Sequence, residues 1–405
     1  MLDEQSILDA LHWPWPGVTQ PVNQTGDSRL TITYRFSGNA EPGDWDASFG
    51  TQFGNWGALS ASEQATYRAA LDHIETFLNV DFVESPTAAD PDLNVGKASL
   101  FGGFAGYGLH SYFFNGSGTI TSYDGATVFE RTYDITDDVY LVLHEIGHAL
   151  SLKHTFETPD PLPAEYDSTK YSLMSYDPDP ATGLYGDSMG LFDILALQAR
   201  WGAAAYNTGD TVYSGPRGVN VDAIWDTGGL DVLDAAAQGN AVMLDLREGY
   251  FSRFGTEDDV VIAFGTRIEN AEGSGFGDSI TGNALTNLLR GNGGNDEIDG
   301  KGGRDTLDGG AGRDRLIGGK GNDALTGGGQ RDTFVFEAGG GRDSIQDFQD
   351  GTDRILLRGY GFADAAEALA FASETAAGVT FAFADGAVLR VLGMTLPEVG
   401  DEVLV

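Results

Sequence analysis

The run His144-Glu145-Ile146-Gly147-His148-Ala149-Leu150-Ser151-Leu152-Lys153-His154 holds three of the chain's six histidines. Histidines four residues apart on a helix project from one face, at a separation where two imidazoles can grip one ion. Glu145, one step round the helix, can take a proton from a metal-bound water without being a ligand. His154 has to come from beyond the helix end, so the chain must turn sharply after His148. Three protein ligands and an open position form the donor set of catalytic zinc, which acidifies its water and polarises a scissile carbonyl. A bare His-Glu-x-x-His arises often by chance. The third histidine and the run Tyr171-Ser172-Leu173-Met174-Ser175-Tyr176 take this one out of that class.

The elements around these residues are readable. Val139 to Leu152 and Phe192 to Trp201 are predicted helices. Ser60-Ala61-Ser62-Glu63 is a capping-box pattern ahead of a helix over Ala65 to Leu78. Leu30 to Phe36 alternates in the strand period, and Val80 to Glu84 and Leu93 to Val95 are further strands. A few strands with two or three long helices predict an α/β layer structure over residues 1–205.

From about residue 206 the texture changes to short strands and turns. Asp278, Asn287, Asp296, Asp305, Asp314, Asp323 and Asp332 are all nine residues apart, and a large apolar residue follows each two positions later, from Ile280 to Phe334. Glycines fill the turns, among them Gly293, Gly302, Gly310, Gly312, Gly319 and Gly321. Such a turn directs carbonyl oxygens and an aspartate toward a shared ion, which suits a hard cation with six or more oxygen ligands, calcium above all. The single apolar residue of each copy stacks on its equivalents, so the array folds only cooperatively. The second copy, Ala284-Leu285-Thr286-Asn287, lacks the glycine and the carboxylate, so its site should be weak or absent. The prediction is an all-β, calcium-binding parallel β-roll over residues 206–405.

Composition agrees with this division. Glycine numbers 58 of 405 residues, about twice the usual share of roughly 7%. A net charge of −38 repels nucleic acid and anionic membrane surfaces and attracts cations. Cysteine is absent, so there is no disulfide framework or thiolate chemistry. The N-terminus lacks the basic and apolar regions of an ordinary signal peptide, and no apolar run approaches the ~20 residues of a membrane helix.

The zinc run with Met174 resembles the extended motif and methionine turn of the metzincin proteases, and Met174-Ser175-Tyr176 with the C-terminal repeats is similar to the serralysin family in particular. The resemblance implies an α/β metzincin-like catalytic domain followed by the β-roll, and a secreted zinc endopeptidase. In it His144, His148 and His154 bind zinc, Glu145 is the base, and Met174 packs beneath the metal. Tyr176 touches the zinc at rest and stabilises the oxyanion. Further calcium sites are implied at Gly209, Thr211 and Gly228 with Asp226 and Asp231, and at Gly229, Asp231 and Glu269. Ala98 to Tyr107 resembles the family's substrate-aligning edge strand, which binds extended peptide through its backbone.

Two departures stand out. Relatives normally carry glycine where this chain has Ser151, and serine in a left-handed conformation costs on the order of 1 kcal/mol. A strained or shifted turn is expected there, with His154 kept as ligand. Proline commonly follows the third histidine, where Thr155 stands here. Asp401-Glu402-Val403-Leu404-Val405 resembles the uncleaved C-terminal signal of type I export. The implied partners are therefore protein or peptide substrates and the type I secretion machinery, and the chain is expected to be an extracellular monomer. Residues 1–28 are left open between a propeptide and an N-terminal extension, and the cluster Trp13-Pro14-Trp15-Pro16-Gly17 either lies over the cleft or packs on the surface, with packing expected. Such repeats also occur in non-enzymes, so the alternative is a calcium-dependent adhesin or surface-binding protein with an inert metzincin-like domain.

Overall fold

The structure, a computed structural model, describes residues 2–13, 22–23, 26–42, 53–114, 120–215 and 220–405. Two compact units emerge, Met1–Tyr206 with Gly218–Trp225, and Asn207–Arg217 with Asp226–Val405.

The first unit opens with α1 (Glu4–Leu11), capped by Asp3 and burying Ile7, Ala10 and Leu11. There follow β1 (Leu30–Phe36), β2 (Gly54–Gly57), α2 (Ala61–Glu75), β3 (Val80–Glu84), β4 (Leu93–Ser99), β5 (Gly106–Phe114), β6 (Ile120–Glu130), α3 (Val139–Ala149) and α4 (Leu191–Trp201). Ser60 and Glu63 cap α2 reciprocally, which starts it four residues before the predicted Ala65. The sheet runs β3-β1-β4-β6-β5, with β2 on β4. Its core strands are parallel, and β5 lies antiparallel to β6 at the edge.

The predicted edge strand at Ala98 to Tyr107 is corrected by this register. Ala98 belongs to β4, residues 100–105 turn, and the edge strand begins at Gly106. Gly102 and Gly103, at φ +88° and +80°, break the extended path. Helix α3 buries Val142, Leu143 and Ile146 and approaches β5 closely. A Cβ on Gly108 would fall 2.0 Å from the Glu145 carbonyl oxygen, so only glycine permits that approach.

The second unit is a coil of short strands in which consecutive nonapeptides alternate between two parallel sheets. Stacking therefore joins residues eighteen apart: Ile280 on Ile298, Leu316 and Phe334 in one sheet, and Leu289 on Leu307 and Leu325 in the other. All seven are buried, each supplying the apolar contact its own copy lacks. The C-terminal stretch, predicted as β-rich, also contains short helices at Ala365–Leu369 and Leu396–Gly400. Its last strand, Val403–Leu404, pairs with Ile355 and Leu356.

The turns stack as tightly as the strands. Gly312 sits at φ +151°, and a Cβ there would lie 1.4 Å from the Gly294 carbonyl oxygen. Gly312→Ala should therefore destabilise the roll by on the order of 3 kcal/mol, read as a lowered midpoint for the β-rich transition in circular dichroism. An unchanged midpoint would mean that the coil spacing is looser than described.

Candidate metal centre and cleft

Helix α3 presents His144, Glu145 and His148 and then ends abruptly. Leu150 N donates to Ile146 O and Leu152 N to Gly147 O, and between them Ser151 adopts φ +84°. The left-handed turn expected there is present, in a serine that is 1% exposed and faces the Tyr112 phenol. The outgoing chain is gripped at once. Lys153 N donates to Leu11 O at 3.0 Å, and Leu152 bridges antiparallel to His12. That path delivers His154.

His144 and His148 are oriented through Nδ1. His144 Nδ1 meets Leu173 O at 2.7 Å and His148 Nδ1 meets Leu152 O at 2.8 Å, while His154 Nδ1 lies 3.0 Å from Glu157 Oε1 without a hydrogen bond to it. The two carbonyls can only accept, so in His144 and His148 Nδ1 carries the hydrogen and Nε2 is left as a lone pair. The third ring converges on them: His154 Nε2 is 3.3 Å from that of His144 and 3.1 Å from that of His148. Three ring nitrogens at this spacing form a site that a cation of the class imidazole favours can fill. The donor set therefore fits zinc.

Burial pushes His144 down to about 4 and His148 well below the ordinary imidazole value, keeping both rings neutral and ready to ligate. Burial pushes the Glu145 carboxyl up to about 8, against the opposing hydrogen bond from Gly108. The Tyr176 ring lies 4.7 Å from that of His154 and is half exposed toward the cleft; burial, then Glu145, raise its phenol. Met174 is buried with its sulfur against Gly147, where a Cβ would come within 2.7 Å. The cleft, about 310 Å³, is lined by β5 from Gly106 to His110 as well as by the histidines, Glu145 and Tyr176. Trp13 lines it too, which corrects the expectation that the Trp-Pro cluster packs on the surface; residues 14–17 lie outside the described residues.

Two positioning carboxylates escaped the sequence reading. Asp193 is fully buried and accepts from Ser172 Oγ (2.5 Å), Leu173 N (2.7 Å) and Gly190 N (2.9 Å), fixing the peptide whose carbonyl orients His144. Its position three residues after Gly190, as a helix-capping acid, was the available signal. Glu157 accepts from the His154 backbone N at 3.1 Å while its other oxygen lies 3.0 Å from Nδ1. An acid three residues beyond a ligand was the corresponding signal. Glu157→Ala should weaken zinc binding about 10- to 100-fold, measured by competition with a chelator; equal affinity would remove Glu157 from this role.

In the second unit the repeat aspartates act twice. Asp296, Asp305, Asp314, Asp323 and Asp332 each accept, through Oδ1, the backbone N–H of the residue eighteen earlier, at 2.7 to 2.9 Å. Among the described residues, the Oδ2 atom of all five is buried without a hydrogen-bond partner. A buried carboxylate oxygen left in this way is costly unless a cation meets it. A Cβ on Gly309 would lie 2.5 Å from Asp314 Oδ2 and 2.8 Å from Gly327 O, so carboxylate and carbonyl converge over a bare glycine. Gly300 shows the same cradle with Asp305 and Gly318 O. The converging carbonyls belong to the first glycine of a copy. Of the glycines nominated from sequence, Gly310, Gly312, Gly319 and Gly321 form the stacked positive-φ turns, and Gly293 and Gly302 stand between such turns.

Asp278 departs from the pattern. Val242 N and Ser274 occupy both of its oxygens, so it lacks the open acceptor of its successors. Asn287 donates to Glu269 O at 2.8 Å and accepts from Asn283 N, so amide hydrogen bonds stand where a weak or absent site was expected. Upstream, Asp231 accepts from Thr211 N and its own N donates to Glu269. Asp226 accepts from Gly228 N, Thr211 Oγ1 donates to Gly209 O, and Gly229 packs on Gly209. The seven residues named from the resemblance are thus neighbours, and Asp231 Oδ2 is another unpartnered buried oxygen. Asp343, which sequence reasoning missed, lies against Asp323.

Burial, then neighbouring aspartates, push Asp296, Asp305 and Asp332 up to about 7, and burial with Asp226 and Glu269 pushes Asp231 up to about 6. Between their ordinary value of 3.8 and about 7 the folded, calcium-free roll binds more protons than the unfolded chain. That contribution is full below about pH 4 and is lost as pH rises through 7. A chelator-treated chain should therefore melt at a higher temperature at pH 5 than at pH 8, and calcium should raise the midpoint far more at pH 8. Equal calcium-free midpoints at both pH values would contradict the described burial of these carboxylates.

Comparison with known proteins adds lineage to geometry. Residues 216–385 match the family described as Peptidase M10 serralysin C terminal. The chain is 29% identical over 307 residues to Metalloprotease AprA of Pseudomonas entomophila (strain L48), covering 65% of this chain and 61% of that one. It is 30% identical over 306 residues to Metallopeptidase AprA of Pseudomonas marginalis, covering 65% and 62%. Over 163 residues it is 36% identical to Serralysin C of Dickeya chrysanthemi, covering 33% and 34%. The chain matches about three fifths of the length of the two AprA relatives.

Proposed function

We propose that this relative of the serralysin-type metalloproteases is a secreted, zinc-dependent endopeptidase. Its metzincin-like α/β catalytic domain spans residues 1–205, and its calcium-loaded β-roll spans residues 206–405. The observation that carries the reading is the convergence of three imidazole Nε2 atoms beside the buried carboxyl of Glu145, at the foot of a sheet edge. Zinc bound by His144, His148 and His154 supplies Lewis acidity toward water and a scissile carbonyl.

The chain's own residues do the rest. The outer edge of β5 offers backbone groups to an extended peptide, which favours broad sequence tolerance. Glu145, held in a dry pocket by the Gly108 N–H, takes the proton of the attacking water and returns it to the departing amine. Tyr176, exposed in the cleft, donates its phenolic hydrogen to the oxygen on which negative charge develops. Met174 and Asp193 hold the floor and the His144 support in place. Calcium at the aspartate columns stabilises the folded roll by mass action, so the chain would fold after export into a calcium-rich medium.

Glu145→Gln should keep one zinc per chain and lose at least ~100-fold in casein digestion. Tyr176→Phe should lower kcat about 10- to 100-fold with little change in KM. Failure of the zinc- and calcium-loaded wild type to digest casein or any peptide would sink the reading and leave an inert, calcium-dependent binding protein.

A further inference from the structure

Trp13 belongs to none of the machinery described so far, yet it is the residue that the N-terminal helix delivers to the cleft. Its approach is determined by fixed neighbours. Leu11 is buried and its carbonyl accepts from Lys153 N; His12 bridges antiparallel to Leu152, and its Nε2 meets Ala196 O at 2.8 Å. Trp13 thus follows directly on a backbone pair made with the segment that carries His154. Its indole remains 38% exposed, although a large apolar side chain this close to a packed core could have been covered.

Other side chains share this condition in the same concavity. Phe104 is 50% and Tyr176 52% exposed, and all three line one cleft with Tyr107 and Leu109 of the edge strand. Scattered exposed aromatics need no explanation, whereas aromatics gathered around convergent polar groups mark a ligand-binding surface. Because Leu11 and His12 are already held, little conformational freedom is lost when Trp13 closes on a ligand.

We infer that Trp13 is a specificity-determining residue, forming an apolar wall of the cleft that selects substrates with a bulky aromatic or long aliphatic side chain near the scissile bond. The inference rests on the endopeptidase reading. It adds a side-chain preference to recognition that the backbone of β5 leaves general.

Two peptide series, identical except for phenylalanine or alanine scanned through the positions flanking the cleavage site, test it on the zinc- and calcium-loaded full chain. At one position, Trp13→Ala should lower kcat/KM for the phenylalanine peptide about tenfold more than for the alanine peptide, chiefly through KM. Trp13→Phe should recover most of the difference, and melting temperatures should agree among the three proteins. Equal losses on both peptides, or no loss at any position, would overturn the inference. If Trp13→Ala does not fold, Trp13→Phe and Trp13→Leu carry the same comparison. Binding of dye-labelled versions of the peptides to the zinc-loaded Glu145→Gln protein, with and without the Trp13 change, separates the two claims. A peptide that the zinc- and calcium-loaded wild type leaves intact, yet that the Glu145→Gln protein binds through Trp13, would sink the protease reading alone, and binding indifferent to Trp13 would sink this one alone.

Discussion

Both candidate sites gather lone pairs that the fold holds close together. Three imidazole nitrogens meet at hydrogen-bond distance, and two of the rings have their Nδ1 hydrogen committed to backbone carbonyls. Five repeat aspartates each keep one buried oxygen with nothing to accept from. Within a low-dielectric interior such arrangements raise the energy of the folded chain, and protonation or a cation is what relieves them. The raised carboxyl groups of the roll show the first remedy and the donor sets show the second. Proton and metal therefore compete for the same oxygens, and this competition couples the stability of each site to its medium.

The physics also explains which features were readable beforehand. Periodic features were legible, because a period is a property of the sequence: the nonapeptide aspartates, their stacked apolar partners and the i, i+4 histidines all appear at the spacing their geometry requires. Ser151 was legible for a related reason, since leaving a helix by a left-handed turn constrains one residue and leaves a mark when glycine is missing. Asn287 was equally plain, because losing a carboxylate changes what the position can bind.

What escaped was long-range or reciprocal. Asp193 acts on Leu173 and Ser172, some twenty residues away, and nothing in a local window announces that pairing. Glu157 looked like a loop acid until the turn folded it back onto His154. The edge strand was misplaced because Ala98 to Tyr107 contains both a strand end and a glycine turn, and only the pairing of β5 with β6 shows where the free edge starts. Trp13 depended on an antiparallel bridge between residues 140 apart in sequence, His12 and Leu152.

That bridge bears on Ser151, the one residue between His144 and His154 that departs from the pattern expected of this run. A serine at φ +84° gives up on the order of 1 kcal/mol relative to glycine, and the loop it starts also lacks the proline that the resemblance led us to expect after the third histidine. The loop is nonetheless held from several sides. Leu11 takes the Lys153 N–H, Glu157 takes the backbone N–H of His154, and the Lys153 ammonium caps the carbonyls of Glu157 and Pro159. A net hydrogen bond is worth about 1 kcal/mol, more where one partner is charged, so these contacts exceed the strain at Ser151. The strain of this turn is offset from outside it, by a helix at the other end of the unit's sequence and by a downstream carboxylate. The position of His154 is accordingly a tertiary property of this chain, and the N-terminal helix is part of what holds the third histidine in place.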